Sequence, residues 1–469
     1  MVEANILVPI AMFGCIAVFL ALFYFLPARQ AVLASYLGAW LFLPEMTYEM
    51  DGLPDYTKLF ATSFGIMLAV FIFDFRRLLT FRPKWVDIPM ILWLIVPIGS
   101  SLTNDVPADR LYDGLSESLA QVILWGFPYF LGRIYFTTWK QIKDLALGII
   151  VSGLIYSPLI LLEMWVSPQL HRWVYGYHQH LFGQTLRFGF WRPMVFMEHG
   201  LMAAFWIMSV AIVSVWMWYS GTIESIDLDF KRLKISLPMK WVALFFFSLT
   251  VMMVSVNAWL WLMTGLGVLF LSARFNTRWV AILFLLAIPI YVTLQASGLW
   301  PGELAVDFAT GLLGPDRAQS LEYRYFNEEF LTERAREQPL FGWAGWNRQH
   351  VSNEWGWHTV ADSLWVIFFG KFGAVGLASL ILTILLPAII FVVRYSPALW
   401  AHPKLAPAAA MAIILVLYMM DGMVNAMENP LFMVSAGAIL SAFVHLPQLS
   451  KINAKPPADI MPTPTPALE

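Results

Sequence analysis

The sequence predicts an all-α integral membrane protein with about 12 transmembrane helices, within a range of about 12–13. Hydrophobic residues make up 59% of the 469 residues and charged residues only 13%, and the mean hydropathy is +0.67. A soluble protein of this length does not have so apolar a composition. The apolar residues come in blocks of roughly 17 to 25, the length of a helix that crosses a bilayer, whereas barrel strands would alternate over short segments.

The first apolar block, the single cysteine and the net charge bear on a signal peptide, a disulfide and a nucleic-acid partner. Residues 6–26 lack a basic start and a small-residue cleavage site, so we expect a retained span and not a signal peptide. The single cysteine, Cys15, lies in this block, which excludes an internal disulfide. The net charge of -2 gives no indication of a nucleic-acid partner.

The distribution of Lys and Arg predicts the side of each linker. The basic short linkers are predicted to be cytoplasmic under the positive-inside rule: 76–85, 137–144, 230–240, 274–278 and 394–404. The segments between them are then predicted to lie outside: 44–56, 104–118, 167–195 and 298–361. The side of Met1 stays open, because residues 30–43 make only a short block.

These spans and linkers divide the chain into four parts. Transmembrane helices 1 to about 10 are expected in 1–297, with an extracytoplasmic loop at 167–195; a large extracytoplasmic loop follows in 298–361, C-terminal transmembrane helices in 362–448, and a disordered cytoplasmic tail in 449–469. Function is expected in the two long outer loops, because connections are usually short. In the larger one, apolar residues from Leu321 to Leu331 recur at helical spacing before Pro339, which predicts an amphipathic helix over the mouth of the bundle.

Four motifs in the middle of the chain carry a family resemblance. They are "YFLGRIYF" with its following span to "LLE" (129–163), "RPMVFMEHGLMAAF" (192–205), "SLEYRYFNEEFLTERAREQPLFGWAGWNR" (320–348) and "DSLWVIFFGKFGAVGL" (362–377). In this order they resemble the O-antigen ligase and polymerase superfamily over roughly half of the chain. The resemblance implies transfer of a glycan from a polyprenyl (undecaprenyl) pyrophosphate donor to a glycan or glycolipid acceptor, on the outer face of the bacterial cytoplasmic (inner) membrane, in lipopolysaccharide or exopolysaccharide assembly.

This chemistry needs cations and a base. Arginine suits a leaving pyrophosphate, because its planar fork donates two hydrogen bonds and stays charged, while an acceptor hydroxyl needs a base within hydrogen-bond reach. The candidates for donor binding are Arg133, Arg187, Arg192, Arg324 and Arg348. The catalytic candidates are His199 and Glu198 together with Asp362 and His358. Asp362 occupies the position that often holds the family's histidine, and the nearest histidine, His358, lies four residues upstream, so the assignment of the base stays open between them.

The chain departs from the family pattern in two places, at Asp362 and in one turn. Residues 255–259 read "SVNAW" where the family usually has Ser-Arg-Gly, so another basic residue must make any phosphate contact that this position serves. The sequence has neither a Walker-type loop nor a paired-Asp metal motif, so we expect a reaction without metal or cofactor.

Structural roles compete with each functional assignment. Arg133 could be a snorkelling anchor, Arg324 could pair with Glu328 on a solvated helix face, and the Glu198–His199 pair could cap a helix. The acids near the outer ends of spans could line an acceptor cavity or make structural hydrogen bonds: Glu163, Asp421 and Glu428.

Two classes of function remain open. The first is a membrane glycosyltransferase of ligase or polymerase type, where the departures at Val256, Asn257 and Asp362 favour a polymerase. The second is a lipid-linked oligosaccharide flippase or another transporter. A transporter is expected to show repeated halves with matching broken helices, and the sequence shows no such repeat.

Overall fold

Within the residues that the structure describes, the chain forms a bundle of helices with three short hairpins. The computed structural model describes residues 4–50, 53–104, 110–230, 233–345, 347–351, 359 and 361–445. The first nine helices are α1 (Leu7–Phe25), α2 (Ala28–Phe42), α3 (Lys58–Phe73), α4 (Phe75–Thr80), α5 (Ile88–Thr103), α6 (Arg110–Gln121), α7 (Phe127–Tyr135), α8 (Trp139–Val166) and α9 (Leu170–Tyr175). The others are α10 (Gly200–Tyr219), α11 (Met239–Met252), α12 (Val256–Phe275), α13 (Trp279–Ala296), α14 (Gly302–Leu313), α15 (Pro315–Arg336), α16 (Leu364–Arg394), α17 (Ala406–Asp421) and α18 (Pro430–His445).

The helices confirm an all-α membrane protein. In the described part of the chain, seven helical segments are long and apolar enough to cross a membrane: α1, Trp85–Thr103 (α5 with its preceding turn), α8, α10, α12, α13 and α16. Shorter apolar helices accompany them, namely α3, α11, α17 and α18. The predicted helix of the large loop is present as α15, which ends at Arg336, shortly before Pro339.

Three antiparallel hairpins lie in segments that the sequence left as linkers or loops. They pair β1 (Thr47–Tyr48) with β2 (Tyr56–Thr57), β3 (Leu186–Arg187) with β4 (Phe190–Trp191), and β5 (Ser225–Phe230) with β6 (Leu233–Pro238). The first two are only two residues long on each strand. Strands this short leave no periodicity that a sequence pattern could reveal.

Helix α10 lies at the centre of the bundle. In the apolar stretch of α10, 94% of the residues are buried, compared with 11% in that of α13. Its side chains reach neighbours on several sides: the Trp206 ring packs edge-on against Trp40, and the Trp216 indole donates to the Trp400 carbonyl over 3.0 Å. Because α10 begins directly after His199, its buried N-terminal end is the place where the first long loop enters the bundle.

Helix α16 is broken at Gly373, and a turn from the large loop fills the break. Gly373 has φ 62° and ψ -163°, so the helical hydrogen bonds are interrupted there. The turn 339–344 replaces them: Ala374 N donates to Pro339 O and Trp343 N donates to Gly370 O, both over 2.8 Å. The "PLFG" sequence is therefore a docking turn that joins the end of α15 to the middle of α16.

We expect Gly373→Ala to destabilise the fold strongly. An added Cβ would lie 2.3 Å from the carbonyl carbon of Leu340, and the backbone conformation at φ 62° and ψ -163°, which is essentially confined to glycine, costs another residue about 1–3 kcal/mol. The midpoint of thermal unfolding in detergent should fall clearly below that of the wild type. Gly267→Ala in α12 is the matched control, because nothing lies within 4 Å of its Cβ position. Equal midpoints for the two variants would contradict the docking turn.

Candidate functional site

Glu163 holds the first long loop against the bundle. It lies in the last turn of α8 and is 1% exposed. One carboxylate oxygen accepts from Leu170 N at 2.9 Å, and the other accepts from Met194 N at 2.9 Å and Val195 N at 2.8 Å. Of the two roles that the sequence left open for Glu163, the structural one fits these contacts, since both oxygens are used on the backbone.

Removing this carboxylate is expected to loosen the loop. Glu163→Ala leaves three buried N–H groups without their acceptor, which should cost about 3 kcal/mol or more. We expect a lower unfolding midpoint and faster proteolysis within 167–199. Glu322→Ala, at an exposed acid on α15, is the control. Equal protease resistance in the two variants would show that other contacts hold the loop.

Arg192 and His199 face each other at the start of α10. Arg192 is 6% exposed, and its Nη2 lies 3.5 Å from Nε2 of His199. Nδ1 of His199 accepts from Leu201 N at 3.0 Å, so a neutral ring carries its hydrogen on Nε2. Nη2 of Arg192 also donates to the Gln184 carbonyl over 3.3 Å, and it lies beside the Nε2–H donor of His199. Two donors side by side suit an anionic oxygen that accepts from both.

Other cationic or imidazole groups surround this pair. Burial lowers the pKa of His199 to about 3, and the nearby charges act in the same direction: Arg192, His180, Arg187 and Arg324. His199 is therefore neutral at physiological pH and acts as a hydrogen-bond donor through Nε2–H. We call these five residues the cationic cluster: His180, Arg187, Arg192, His199 and Arg324.

Arg324 brings the large loop to the cluster. It lies on α15 and donates to the Val424 carbonyl over 2.8 Å, and its Nε lies 3.6 Å from a carboxylate oxygen of Asp362. Glu328, the partner expected on a solvated face, is instead 4% exposed and accepts from the Ser363 hydroxyl. Burial raises the pKa of Glu328 to about 7. The contacts of Arg324 with Asp362, Val424 and Asn425 thus join it to the segments before α16 and after α17.

The position of Arg324 bears on the arginine that "SVNAW" lacks. Helix α12 starts at Val256, within that motif, and the indole of Trp261 on this helix donates to Asp421 over 2.9 Å. Asp421 ends α17, and Arg324 contacts Val424 and Asn425 just beyond it. Arg324 therefore places a positive charge near the turn of residues 255–259, where α12 begins.

A cavity of about 610 Å³ opens next to the cationic cluster. Glu198 lines it, and the following residue, His199, belongs to the cluster. Two lysines on its wall are paired: Lys58 with Glu45 at 2.8 Å and Lys371 with Glu117 at 3.6 Å. Further carboxylates on the wall are Asp55, Asp113 and Glu428. The volume is in the range of small-molecule sites.

Two carboxyl groups of this cavity have raised pKa values. Partial burial and the Glu45 carboxylate raise the pKa of Glu198, although its side chain is exposed to the cavity. Burial raises the pKa of Glu428 to about 7, with Glu198 and Glu117 adding to the effect and Lys371 opposing it. A carboxyl group that titrates near neutral pH suits general acid–base catalysis.

The structure brings together most, but not all, of the residues selected from the sequence. Arg187, Arg192, His199 and Arg324 lie in the cluster, with Asp362 beside Arg324. Arg348 is paired with Asp113, which lines the cavity. His358 lies outside the described residues, so Asp362 is the described member of that pair.

Arg133 is separated from the cluster. It forms a bidentate ion pair with Asp87, at 2.7 Å and 3.1 Å, and the Tyr129 hydroxyl donates to the same carboxylate. Asp87 directly precedes α5, which runs from there to Thr103, near the docking turn. Arg133 thus lies at the other end of α5, where its charge is already neutralised and buried, so it does not belong to a donor site with Arg192.

Sequence reasoning missed several cavity residues. Lys58 is 3% exposed and also donates to the Phe196 carbonyl over 2.8 Å, so it supports the loop next to Glu198. Lys371 stands inside the apolar run "FFGKFG", and Gln121 ends α6. A lysine within an apolar block is a costly placement and was the signal available for Lys371, whereas Lys58 begins α3 directly after a polar linker and gave no such signal.

Comparison with known proteins adds no family assignment to this geometry. No family model matches the chain, and no curated protein matches it in sequence. Function is therefore inferred from the residues of the cationic cluster and the cavity.

Proposed function

We propose that this protein is a membrane glycosyltransferase that moves a glycan from a polyprenyl pyrophosphate donor to an acceptor sugar. One observation carries the proposal: the cationic cluster meets the carboxylate-lined cavity at the consecutive residues Glu198 and His199. Transfer from a pyrophosphate needs these two environments side by side, because the leaving group is anionic and the acceptor hydroxyl must lose a proton.

The cationic cluster supplies the donor site in this proposal. Arg192 and Arg324 contribute guanidinium groups, and His199 contributes its Nε2–H. Arginine is the side chain best suited to phosphate oxygens, since it donates in a planar fork and keeps its charge. Binding of the pyrophosphate at this point directs the anomeric carbon of the attached sugar toward Glu198.

Glu198 is the proposed general base. The acceptor hydroxyl oxygen attacks the anomeric carbon, and its proton moves to the Glu198 carboxylate. The bond between the anomeric carbon and the phosphate oxygen breaks, and polyprenyl pyrophosphate leaves with that electron pair. Arg192 and Arg324 stabilise the charge that develops on the leaving oxygen. No nucleotide or other cofactor takes part in this reaction scheme.

The setting in the membrane belongs to the same proposal. We propose about 12–13 membrane crossings, with the cluster and the cavity on the outer side of a bacterial cytoplasmic membrane. The Lys- and Arg-rich linkers would then join the spans on the opposite, cytoplasmic side. The lipid part of the donor would lie along the apolar helix faces. Among the two transferase types, the departures at Val256, Asn257 and Asp362 favour a polymerase of surface polysaccharide.

A reconstituted transfer assay tests the function. Purified protein is incubated with a polyprenyl-pyrophosphate glycan, with and without an acceptor, and released polyprenyl pyrophosphate is measured. Release coupled to chain growth identifies a polymerase, and a single transfer to a second molecule identifies a ligase. Intact donor that moves to the opposite leaflet without any release would overturn the proposal in favour of transport.

A further inference from the structure

We infer that the cavity beside Glu198 binds an acceptor sugar that carries no negative charge, so that a hexose or an amino sugar is accepted and a uronic acid is rejected. This inference rests on the proposed transferase function and names the acceptor class for that site. It is carried by a side-chain amide oxygen on the cavity wall that lacks a hydrogen-bond partner among the described residues, and by the balance of charge around the cavity.

Gln121 provides this amide oxygen, Oε1. Its residue is 4% exposed and lines the cavity. Its Nε2 donates to Glu117 over 3.2 Å, but its Oε1 is buried and has no hydrogen-bond partner within the part of the chain that the structure describes. A buried acceptor without a donor is costly, and a sugar hydroxyl is a donor of suitable size.

The charge on the wall favours a ligand without an acidic group. The cavity is lined by six carboxylate side chains and two lysines, and both lysines are already paired with Glu45 and Glu117. Asp113 is paired with Arg348, and among the described residues Asp55, Glu198 and Glu428 form no close ion pair with a lysine, although Lys58 acts on Glu198 and Lys371 acts on Glu428 from farther away. An incoming carboxylate would meet like charges, whereas hydroxyl groups or an ammonium group would meet acceptors.

The arrangement of these acids suits a glycan better than a metal ion. Within the described residues, no three His, Cys, Asp or Glu side chains lie close enough to hold one ion. The acids are instead spread around the wall between apolar side chains such as Trp40, Phe60 and Phe368. Apolar walls with a few separated polar groups are typical of sites for small organic molecules.

The experiment compares acceptors that differ only in charge. Full-length protein is given the polyprenyl-pyrophosphate glycan donor and matched oligosaccharides that end in a hexose, a hexosamine or a hexuronic acid. We expect the first two to be used, and kcat/KM for the uronic acid to be lower by a factor on the order of 10 or more. In parallel, the neutral oligosaccharide alone should raise the midpoint of thermal unfolding, and the uronic acid should not.

Two variants connect this selectivity to the cavity. Gln121→Leu should raise the KM for the acceptor about 10-fold while the KM for the donor stays unchanged. Asp55→Lys, at an exposed position on the rim, should reduce the discrimination against the uronic acid. The controls lie outside the cavity at exposed positions of α15: Gln319→Leu and Glu322→Lys.

The outcomes separate this inference from the proposed function. Transfer that uses the uronic acid as well as the hexose, or that keeps its selectivity in Asp55→Lys, overturns the inference and leaves the transferase standing. Absence of released polyprenyl pyrophosphate with every acceptor overturns both. Selective use of uncharged and amino sugars, weakened in Gln121→Leu and Asp55→Lys but not in the controls, supports both.

Discussion

Arg192→Ala and Arg324→Ala are each expected to lower the rate of glycan transfer at least about 100-fold. Each substitution removes a guanidinium group from the place where charge develops on the leaving pyrophosphate. Arg192 is buried against His199, and Arg324 is held by Val424 and Asp362, so both groups are fixed before the substrate arrives. The measurement is release of polyprenyl pyrophosphate in the reconstituted assay, with thermal unfolding of each variant as the check on folding.

Arg336→Ala is the matched control for Arg324. It lies on the same helix, is exposed, and donates to the Ala296 carbonyl over 2.8 Å, away from the cluster. Arg192→Lys and Arg324→Lys should give intermediate rates, because lysine keeps the charge and loses the planar fork. Wild-type rates in both alanine variants would remove the donor site from the cationic cluster.

Glu198→Gln is expected to lower kcat by a factor of about 100 to 10,000, the usual contribution of a general base. The pKa of Glu198 is raised above 4.5 by partial burial and by Glu45. A base works only when it is deprotonated, so the wild-type rate should fall as the pH drops through this raised pKa. The variant keeps nearly the same shape and should lose that acidic limb of the pH–rate profile.

The pH profile separates catalysis from support of the loop. If Glu198 only positioned the loop, the variant would have a lower rate with an unchanged acidic limb. Glu428→Gln is the comparison, because the pKa of Glu428 is raised to about 7 and its side chain lines the same cavity. An acidic limb that disappears in Glu428→Gln and persists in Glu198→Gln would transfer the role of base to Glu428.

Much of the fold could be predicted from local patterns. Block length identified the apolar helices, and the position of Pro339 predicted the end of the loop helix, which stops at Arg336. The docking turn could not be predicted, because its hydrogen bonds join Pro339 and Leu340 to a break in a helix that starts at Leu364. No periodicity in the sequence records such a long-range backbone pairing.

Only part of the candidate site could be predicted, because several of its side chains are paired with residues far away in the sequence. Arg187 and Arg192 stood out because arginine is unusual at a predicted outer boundary. Arg133 was selected on a motif, and its partner Asp87 lies 46 residues earlier, so the sequence did not reveal the ion pair. Lys371 was visible only as a charge inside an apolar stretch, and Lys58 only as the first residue of a span. Their partners Glu117 and Glu45 come from other elements.

The ion pair between Arg133 and Asp87 also constrains the kind of motion that the bundle can make. Both side chains are almost fully buried, at 1% and 0% exposure, and they join α7 to the start of α5. Separating such a pair typically costs about 3–5 kcal/mol. A carrier whose motion separated α5 from α7 would have to break this pair in every cycle, whereas an enzyme that receives its substrates from one side can keep this end closed throughout turnover.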